Sequence, residues 1–95
     1  MNKKMYRLKY SSKFKTSYKK FKSNKSFKLN IFREITDKLI NKESLDIKYK
    51  DHNLKGDLWY ARECHIAPDI LLIYEYKDKD LVLLYLDIGS HSDLF

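Results

Sequence analysis

The chain has 95 residues, 43% of them hydrophobic, which allows one domain (residues 1–95) with one modest core. Its single cysteine excludes an internal disulfide and fits a reducing cytoplasm, and no apolar run approaches the roughly 20 residues that span a bilayer, so we expect no membrane partner. The basic N-terminus lacks the apolar stretch of a signal peptide, and the net charge of +7 indicates a polyanionic partner.

The first third of the chain predicts one strand and a helical hairpin. Apolar and polar residues alternate from Met5 to Tyr10, the period-two pattern of a strand with one buried face. Two amphipathic helices should follow, the first capped by Ser11 or Ser12 and the second by Ser26. Their apolar stripes are Phe14, Tyr18 and Phe21, and then Leu29, Phe32, Ile35 or Thr36, Leu39 and Ile40.

The same segment carries most of the positive charge. Residues 1–33 hold 12 Lys or Arg and no acidic residue, whereas residues 34–95 hold 8 basic and all 13 acidic residues. Such a segment is typical of a nucleic-acid-binding surface; the alternative is a lysine face that only keeps the protein soluble. Five of these lysines occupy the outer faces of the first predicted helix, namely Lys13, Lys15, Lys19, Lys20 and Lys22.

The second half of the chain predicts a loop and three strands. Periodicity disappears from Glu43 to Asp57, and three strand-like segments then follow, within residues 58–67, 69–76 and 81–88. Their short connections enforce antiparallel hairpins. The order β-α-α-β-β-β therefore predicts an α+β fold, an antiparallel sheet with the helical hairpin packed on one face.

All three histidines lie in this second half. His52 is in the loop, His65 is on the first strand of the meander and His91 follows the last strand, so the loop and the tail can meet His65 at one rim. Glu63 shares the face of His65, and Asp69 lies across the hairpin turn. Two kinds of chemistry are open, a metal site or general acid–base catalysis.

We favour acid–base catalysis, because no pair of these histidines has the close spacing that metal sites use. We therefore expect no metal and no cofactor. Imidazole accepts and donates protons near neutrality, so two histidines and a carboxylate beside a cationic surface suit cleavage of an RNA phosphodiester.

Three sequence blocks resemble the signature of YafQ-type toxins, which are type II toxins in the RelE/ParE superfamily. These blocks are KDHNLKGD (50–57), RECHIAPDILLIY (62–74) and GSHSDLF (89–95). The resemblance covers essentially the whole chain and implies a RelE-like fold. It also implies a ribosome-dependent messenger-RNA endonuclease (an mRNA interferase) that meets ribosomal RNA and is inhibited by a cognate acidic antitoxin.

The resemblance also implies the site residues. The catalytic set would be His52, His65, Asp69, His91 and Phe95. Glu63 would support this set, while Arg62 and the five helix lysines would contact RNA. We expect His65 and His91 to transfer protons, Asp69 to orient or polarise one of them, and His52 to stabilise the phosphate.

Two positions leave alternatives open. Several relatives carry arginine where this chain has Asp87. An aspartate that points into the site would repel the phosphate; the alternative is that Asp87 points away and that Arg62 or a lysine supplies the cation. Phe95 either stacks on an unpaired base or plugs the core. The rival function is a non-catalytic basic nucleic-acid-binding module that acts only in a toxin–antitoxin complex repressing operator DNA.

Overall fold

A computed structural model describes residues 5–95, which form a five-stranded sheet with two helices on one face and a short helix at the C-terminus. The strands are β1 (Arg7–Tyr10), β2 (His52–Asn53), β3 (Arg62–Ala67), β4 (Ile70–Lys77) and β5 (Val82–Gly89). The helices are α1 (Ser12–Phe21), α2 (Leu29–Ile40) and α3 (His91–Leu94), and two 3₁₀ turns span Ile47–Tyr49 and Gly56–Leu58. The α+β fold is confirmed. The first four residues of the basic segment lie outside the described residues.

The sheet differs in two details from the predicted one. Its order is β1-β5-β4-β3-β2, and β1 pairs with β5 in parallel, from Arg7 opposite Val82 to Tyr10 opposite Tyr85. The remaining pairs are antiparallel, as predicted. Alternation along a strand does not report the direction of its partner, which is why the sequence missed the parallel pair. The predicted loop also contains the two-residue strand β2.

The two helices start for different local reasons. Ser11 caps α1 as predicted, because its hydroxyl oxygen accepts the N–H of Phe14 at 2.9 Å. The predicted cap at Ser26 is wrong: α2 begins at Leu29, and Lys28 precedes it without a side-chain cap. The side chain of Asn24 accepts the N–H of Ser26 at 2.8 Å and closes a local turn there, which delays the helix.

The core lies between the helical hairpin and one face of the sheet. The ring of Phe32 on α2 lies 6.4 Å from Phe14 on α1 and 5.8 Å from Tyr85 on β5, measured between centroids. A buried hydrogen bond of 2.6 Å joins the hydroxyls of Thr36 and Tyr85. The helical hairpin thus covers one face. We call the opposite face the open face because the hairpin does not pack on it, although its side chains Leu71 and Ile73 are buried. Within residues 5–95 no helix is long and apolar enough to cross a membrane.

A β-bulge in β5 decides what the open face carries. Tyr85 pairs with Tyr74 and Asp87 pairs with Ile73, so Leu86 is an extra residue in the ladder. Without that residue, Asp87 would share the helix-covered face of Tyr85. The bulge turns the Asp87 carboxylate to the open face instead.

Candidate active site

The open face of the sheet carries two rows of residues, which contain His52, Glu63 and His65 of the predicted site. The first row, read from β2 to β5, is His52, Glu63, Ile73 and Asp87. The second row is His65, Leu71 and Gly89. Paired residues project to the same face, and adjacent strands lie about 4.8 Å apart, so the backbones of His65 and Gly89 are separated by about 10 Å.

Glu63 is the buried centre of the first row. It is only 6% exposed, and its Oε1 lies 3.6 Å from Nε2 of His52 and 3.9 Å from Nε2 of His65. A buried carboxylate needs a compensating partner, and here it has two imidazoles that can carry a proton. The three side chains therefore form a coupled histidine–carboxylate cluster.

His52 is oriented by an unusual backbone position. Its Nδ1 lies 2.6 Å from the carbonyl oxygen of Lys50, a residue in the left-handed region with φ 50° and ψ 41°. A carbonyl only accepts, so Nδ1 carries a hydrogen and Nε2 is turned toward Glu63. The Nε2 atom lies 3.6 Å from Oε1 of Glu63, which is an ion-pair distance rather than a hydrogen bond.

The C-terminal tail returns to this end of the sheet. Ser90 and Asp93 form a reciprocal capping box that starts α3, and the Ser90 hydroxyl lowers the pKa of Asp93. Gly89 is needed for the close return, because an added Cβ would lie 3.3 Å from Cβ of Asp93. The rings of His91 and Phe95 then lie 5.3 Å apart. The Phe95 ring is 57% exposed, which argues against its being a core plug.

Asp69 occupies the turn between β3 and β4. The turn lies four residues after His65, at the end of the sheet where β5 runs into the tail. Its side chain is exposed to solvent. Asp69, His65 and His91 thus lie at this end of the sheet. The predicted meeting of the loop and the tail is not observed, because β4 and β3 separate β5 from β2, which carries His52.

Asp87 faces the same side as the histidines, but its charge is compensated. It is 6% exposed, accepts a hydrogen bond of 2.7 Å from the Ser17 hydroxyl and one of 2.9 Å from the N–H of Ile88, and pairs with Lys13 at 3.4 Å. Because the Lys13 side chain is exposed, this ion pair contributes little to stability, but it holds Lys13 at the edge of the open face. Lys13 on α1 therefore supplies a positive charge beside Asp87.

Arg62 does not reach this face. Alternation along β3 places it opposite Glu63, and it donates to Asp51 at 2.9 Å and to Asn53 at 2.5 Å, while Tyr74 also donates to Asp51. The hydrogen bond to Asp51 raises the pKa of Arg62, and burial raises the pKa of Tyr74. The structure therefore does not support Arg62 as the cation beside the histidines.

The lysines of α1 divide into two stripes. Lys13 and Lys20 share the stripe of Ser17, which faces Asp87 and the tail, and Lys20 helps to lower the pKa of Asp93. The other stripe borders a groove of about 420 Å³ on the helical face. Its lysines are Lys15, Lys19 and Lys22. Only the first stripe adjoins the candidate site.

Sequence reasoning missed two groups that organise the site. The Lys50 carbonyl has no side-chain signature, and Ser17 meets Asp87 across 70 residues of sequence. Glycine or asparagine would have marked the left-handed position, but this chain has lysine there. Between residues 5 and 95, no group of three or more His, Cys, Asp or Glu has an arrangement suited to a metal ion.

Known proteins of similar sequence and structure share this arrangement of elements. Residues 6–95 match the family described as "Bacterial toxin of type II toxin-antitoxin system, YafQ". The mRNA interferase toxin YafQ of Escherichia coli K12 is 34% identical over 87 residues, which are 90% of this chain and 87% of that protein. A metal-bound toxin from Helicobacter pylori is 40% identical with a TM-score of 0.88, over 96% of this chain and 100% of that one. YafQ in the E. coli DinJ–YafQ complex is 31% identical with a TM-score of 0.82, over 95% and 98%.

Proposed function

Because the chain belongs to the YafQ family of toxins from type II toxin–antitoxin systems, we propose that it is an endoribonuclease that cleaves messenger RNA on the ribosome. The observation that carries this proposal is the cluster of His52, Glu63 and His65 on an open sheet face bordered by α1 lysines. The related YafQ protein of E. coli K12 is described as an mRNA interferase toxin.

The reaction is a transesterification within the RNA, in which the phosphorus exchanges its bond to the 5′-oxygen for a bond to the neighbouring 2′-oxygen. The 2′-hydroxyl loses a proton and attacks the adjacent phosphorus, and the 5′-oxygen leaves with a proton. The products are a 2′,3′-cyclic phosphate and a free 5′-hydroxyl. One histidine must accept the first proton and another must supply the second, and the pentacoordinate phosphate between them needs cationic donors.

Each site residue has a role in this scheme. His65 and His91 lie at the same rim and transfer the two protons. One of them accepts the proton of the 2′-hydroxyl as the base, the other donates a proton to the 5′-oxygen as the acid, and either can take either role. His52, held by Lys50 and Glu63, donates to a phosphate oxygen in its protonated form. Asp69 orients or polarises one member of the proton pair.

The remaining groups bind the RNA chain. Lys13 and Lys20 supply positive charge at the edge of the open face, so Asp87 does not leave the phosphate without a cation. The exposed ring of Phe95 stacks on an unpaired base, an interaction worth about 1 to 3 kcal/mol that needs no particular sequence.

We also propose the partners. E. coli YafQ has been solved in complex with the antitoxin DinJ, which supports a cognate acidic antitoxin that binds the basic surface of α1 here. Messenger RNA on the ribosome is the substrate, so the toxin acts in the cytoplasm. Operator DNA would be bound by the toxin–antitoxin complex rather than by the toxin alone.

The test is cleavage of a messenger RNA on purified ribosomes, with the 5′ ends mapped. Wild type should cut, His65→Ala and His91→Ala should lose most of the activity, and Lys79→Ala in the exposed β4–β5 turn should match wild type. A wild-type protein that binds ribosomes without cutting would favour the rival, a non-catalytic binding module.

One control concerns metal, since the H. pylori relative is described as metal-bound. A chelator at constant magnesium should leave cleavage unchanged if histidines carry the protons. Activity that is lost to the chelator and restored by zinc, copper or manganese would contradict the acid–base scheme.

A further inference from the structure

The outer edge of β3 has an open stretch beside the histidine–carboxylate cluster. Within residues 5–95, β2 pairs with β3 only at Arg62 and Glu63. Beyond Glu63 the neighbour of β3 is the 3₁₀ turn Ile47–Tyr49, which packs against the strand without extending the sheet. A cavity of about 350 Å³ lies between this turn and the strand.

The cavity has apolar walls and a cationic mouth. Lys48, Tyr49 and Lys50 line one side, and His65, Ile66 and Ala67 line the other. The Tyr49 ring is buried and anchored, because its hydroxyl donates to Glu34 at 3.2 Å. The two lysines are exposed, and the Lys48 ammonium lies 5.3 Å from the centre of that ring. A flat apolar ligand that bears a negative charge fits this lining.

Two residues connect the cavity with the cluster. His65 belongs to both, since its ring lines the cavity while its Nε2 faces Glu63 at 3.9 Å. Lys50 also belongs to both, because its carbonyl holds His52. A ligand in the cavity would therefore place an attached phosphate next to the histidines.

We infer that this cavity, which we call the β3-edge pocket, binds one nucleobase of the RNA next to the scissile phosphate and so helps to set the base preference of cleavage. The inference rests on the proposed function. A strand edge without a strand partner presents backbone N–H and C=O groups, and proteins read unstacked bases through hydrogen bonds to their edges. The lysines at the mouth bind the phosphate of the same nucleotide.

The test is an NMR titration of the whole protein with the four nucleoside 3′-monophosphates, with inorganic phosphate as the matched probe. Amide shifts should concentrate at residues 48–50 and 65–67, with at least a several-fold spread in affinity among the four bases. Ala67→Leu should abolish these shifts by filling the pocket, whereas Asn30→Leu, an exposed site on α2, should not. Lys48→Ala should weaken the binding of all four nucleotides alike, and this variant replaces Ala67→Leu in the test if Ala67→Leu does not fold.

Three results would overturn the inference. The β3-edge pocket binds no nucleobase if the shifts are confined to the α1 groove or if inorganic phosphate reproduces them in full. The same conclusion follows if no shifts occur at millimolar nucleotide. The binding data are separate from cleavage, so they do not depend on whether the protein cuts RNA. If wild type cuts messenger RNA and Ala67→Leu cuts it with the same flanking-base frequencies, the pocket proposal fails while the proposed function stands.

Discussion

Glu63→Gln is the most direct test of the histidine–carboxylate cluster. The change keeps the shape of a side chain that is 6% exposed and removes its charge. At the observed 3.6 Å, two unit charges attract by about 1 kcal/mol in water and by about 4 to 5 kcal/mol at an effective dielectric constant of about 20. His52 is 52% exposed, so we take the low end, about 1 to 2 kcal/mol.

That range corresponds to a loss of about 5-fold to about 30-fold in the cleavage rate, since 1.36 kcal/mol is a factor of ten. The assay is single-turnover cleavage of ribosome-bound messenger RNA across pH. The melting temperature should change little, because the amide fills the same space.

The matched control is Glu75→Gln. Glu75 lies on β4, on the same face of the sheet as Glu63, and is half-buried. Its carboxylate pairs with Lys77 at 3.6 Å, away from the histidines. It should keep both the rate and the pH profile of wild type. If the two variants cut RNA alike at every pH, the cluster does not act through charge and our reasoning about Glu63 is wrong.

Three further outcomes are expected. Replacing Lys13 and Lys20 together by alanine should reduce the slope of log binding constant against log salt by about 0.7 for each lost phosphate contact, whereas Lys79→Ala should not; an unchanged slope in the double variant would mean that this stripe does not touch RNA. Phe95→Ala should slow cleavage about tenfold with a nearly unchanged melting temperature, and Phe95→Trp should restore it; a variant that melts earlier but cuts normally would make the ring structural. The Ser90 hydrogen bond lowers the pKa of Asp93, so the tail cap persists above the ordinary carboxyl pKa of about 3.9 and is lost as pH falls below it; protection of the amides of residues 91–95 against exchange, relative to an unstructured chain at the same pH, should fall only there, and Asp93→Ala should remove this protection at every pH.

The sequence predicted what depends on local periodicity. Alternation along β3 separates Glu63 and His65 from Arg62, and the structure has them on opposite faces. The expectation that the loop entering β3 and the tail leaving β5 meet at one rim was wrong, because β3 and β4 lie between β2, which carries His52, and β5. The expectation that Arg62 contacts RNA at the site came from the resemblance alone and ran against the alternation.

The sequence did not predict what depends on contacts between distant residues. The parallel β1–β5 pair and the hydrogen bond from Ser17 to Asp87 each join segments about 70 or more residues apart, and the bulge at Leu86 interrupts the ladder between β4 and β5. The left-handed turn at Lys50 was also hidden, because lysine carries no preference for that conformation. These are the features that orient His52 and turn Asp87 toward the open face.

A basic protein thus builds its candidate phosphate site above buried acids. Glu63 and Asp87 lie in one row on either side of the apolar side chain of Ile73, and each is 6% exposed. Each acid holds cationic or protonatable groups on its solvent side, imidazoles above Glu63 and the Lys13 ammonium above Asp87.

This arrangement accounts for the departure at Asp87. An arginine at this position would supply its own cation from the strand, whereas the aspartate recruits one from α1 through Lys13 and fixes the helix through Ser17. Compared with an arginine at position 87, the positive charge beside this position is thus shifted in this chain to Lys13 on the helix. The same shift ties the cation to the packing of α1 on β5, so a change at Ser17 should weaken RNA binding as well as the fold.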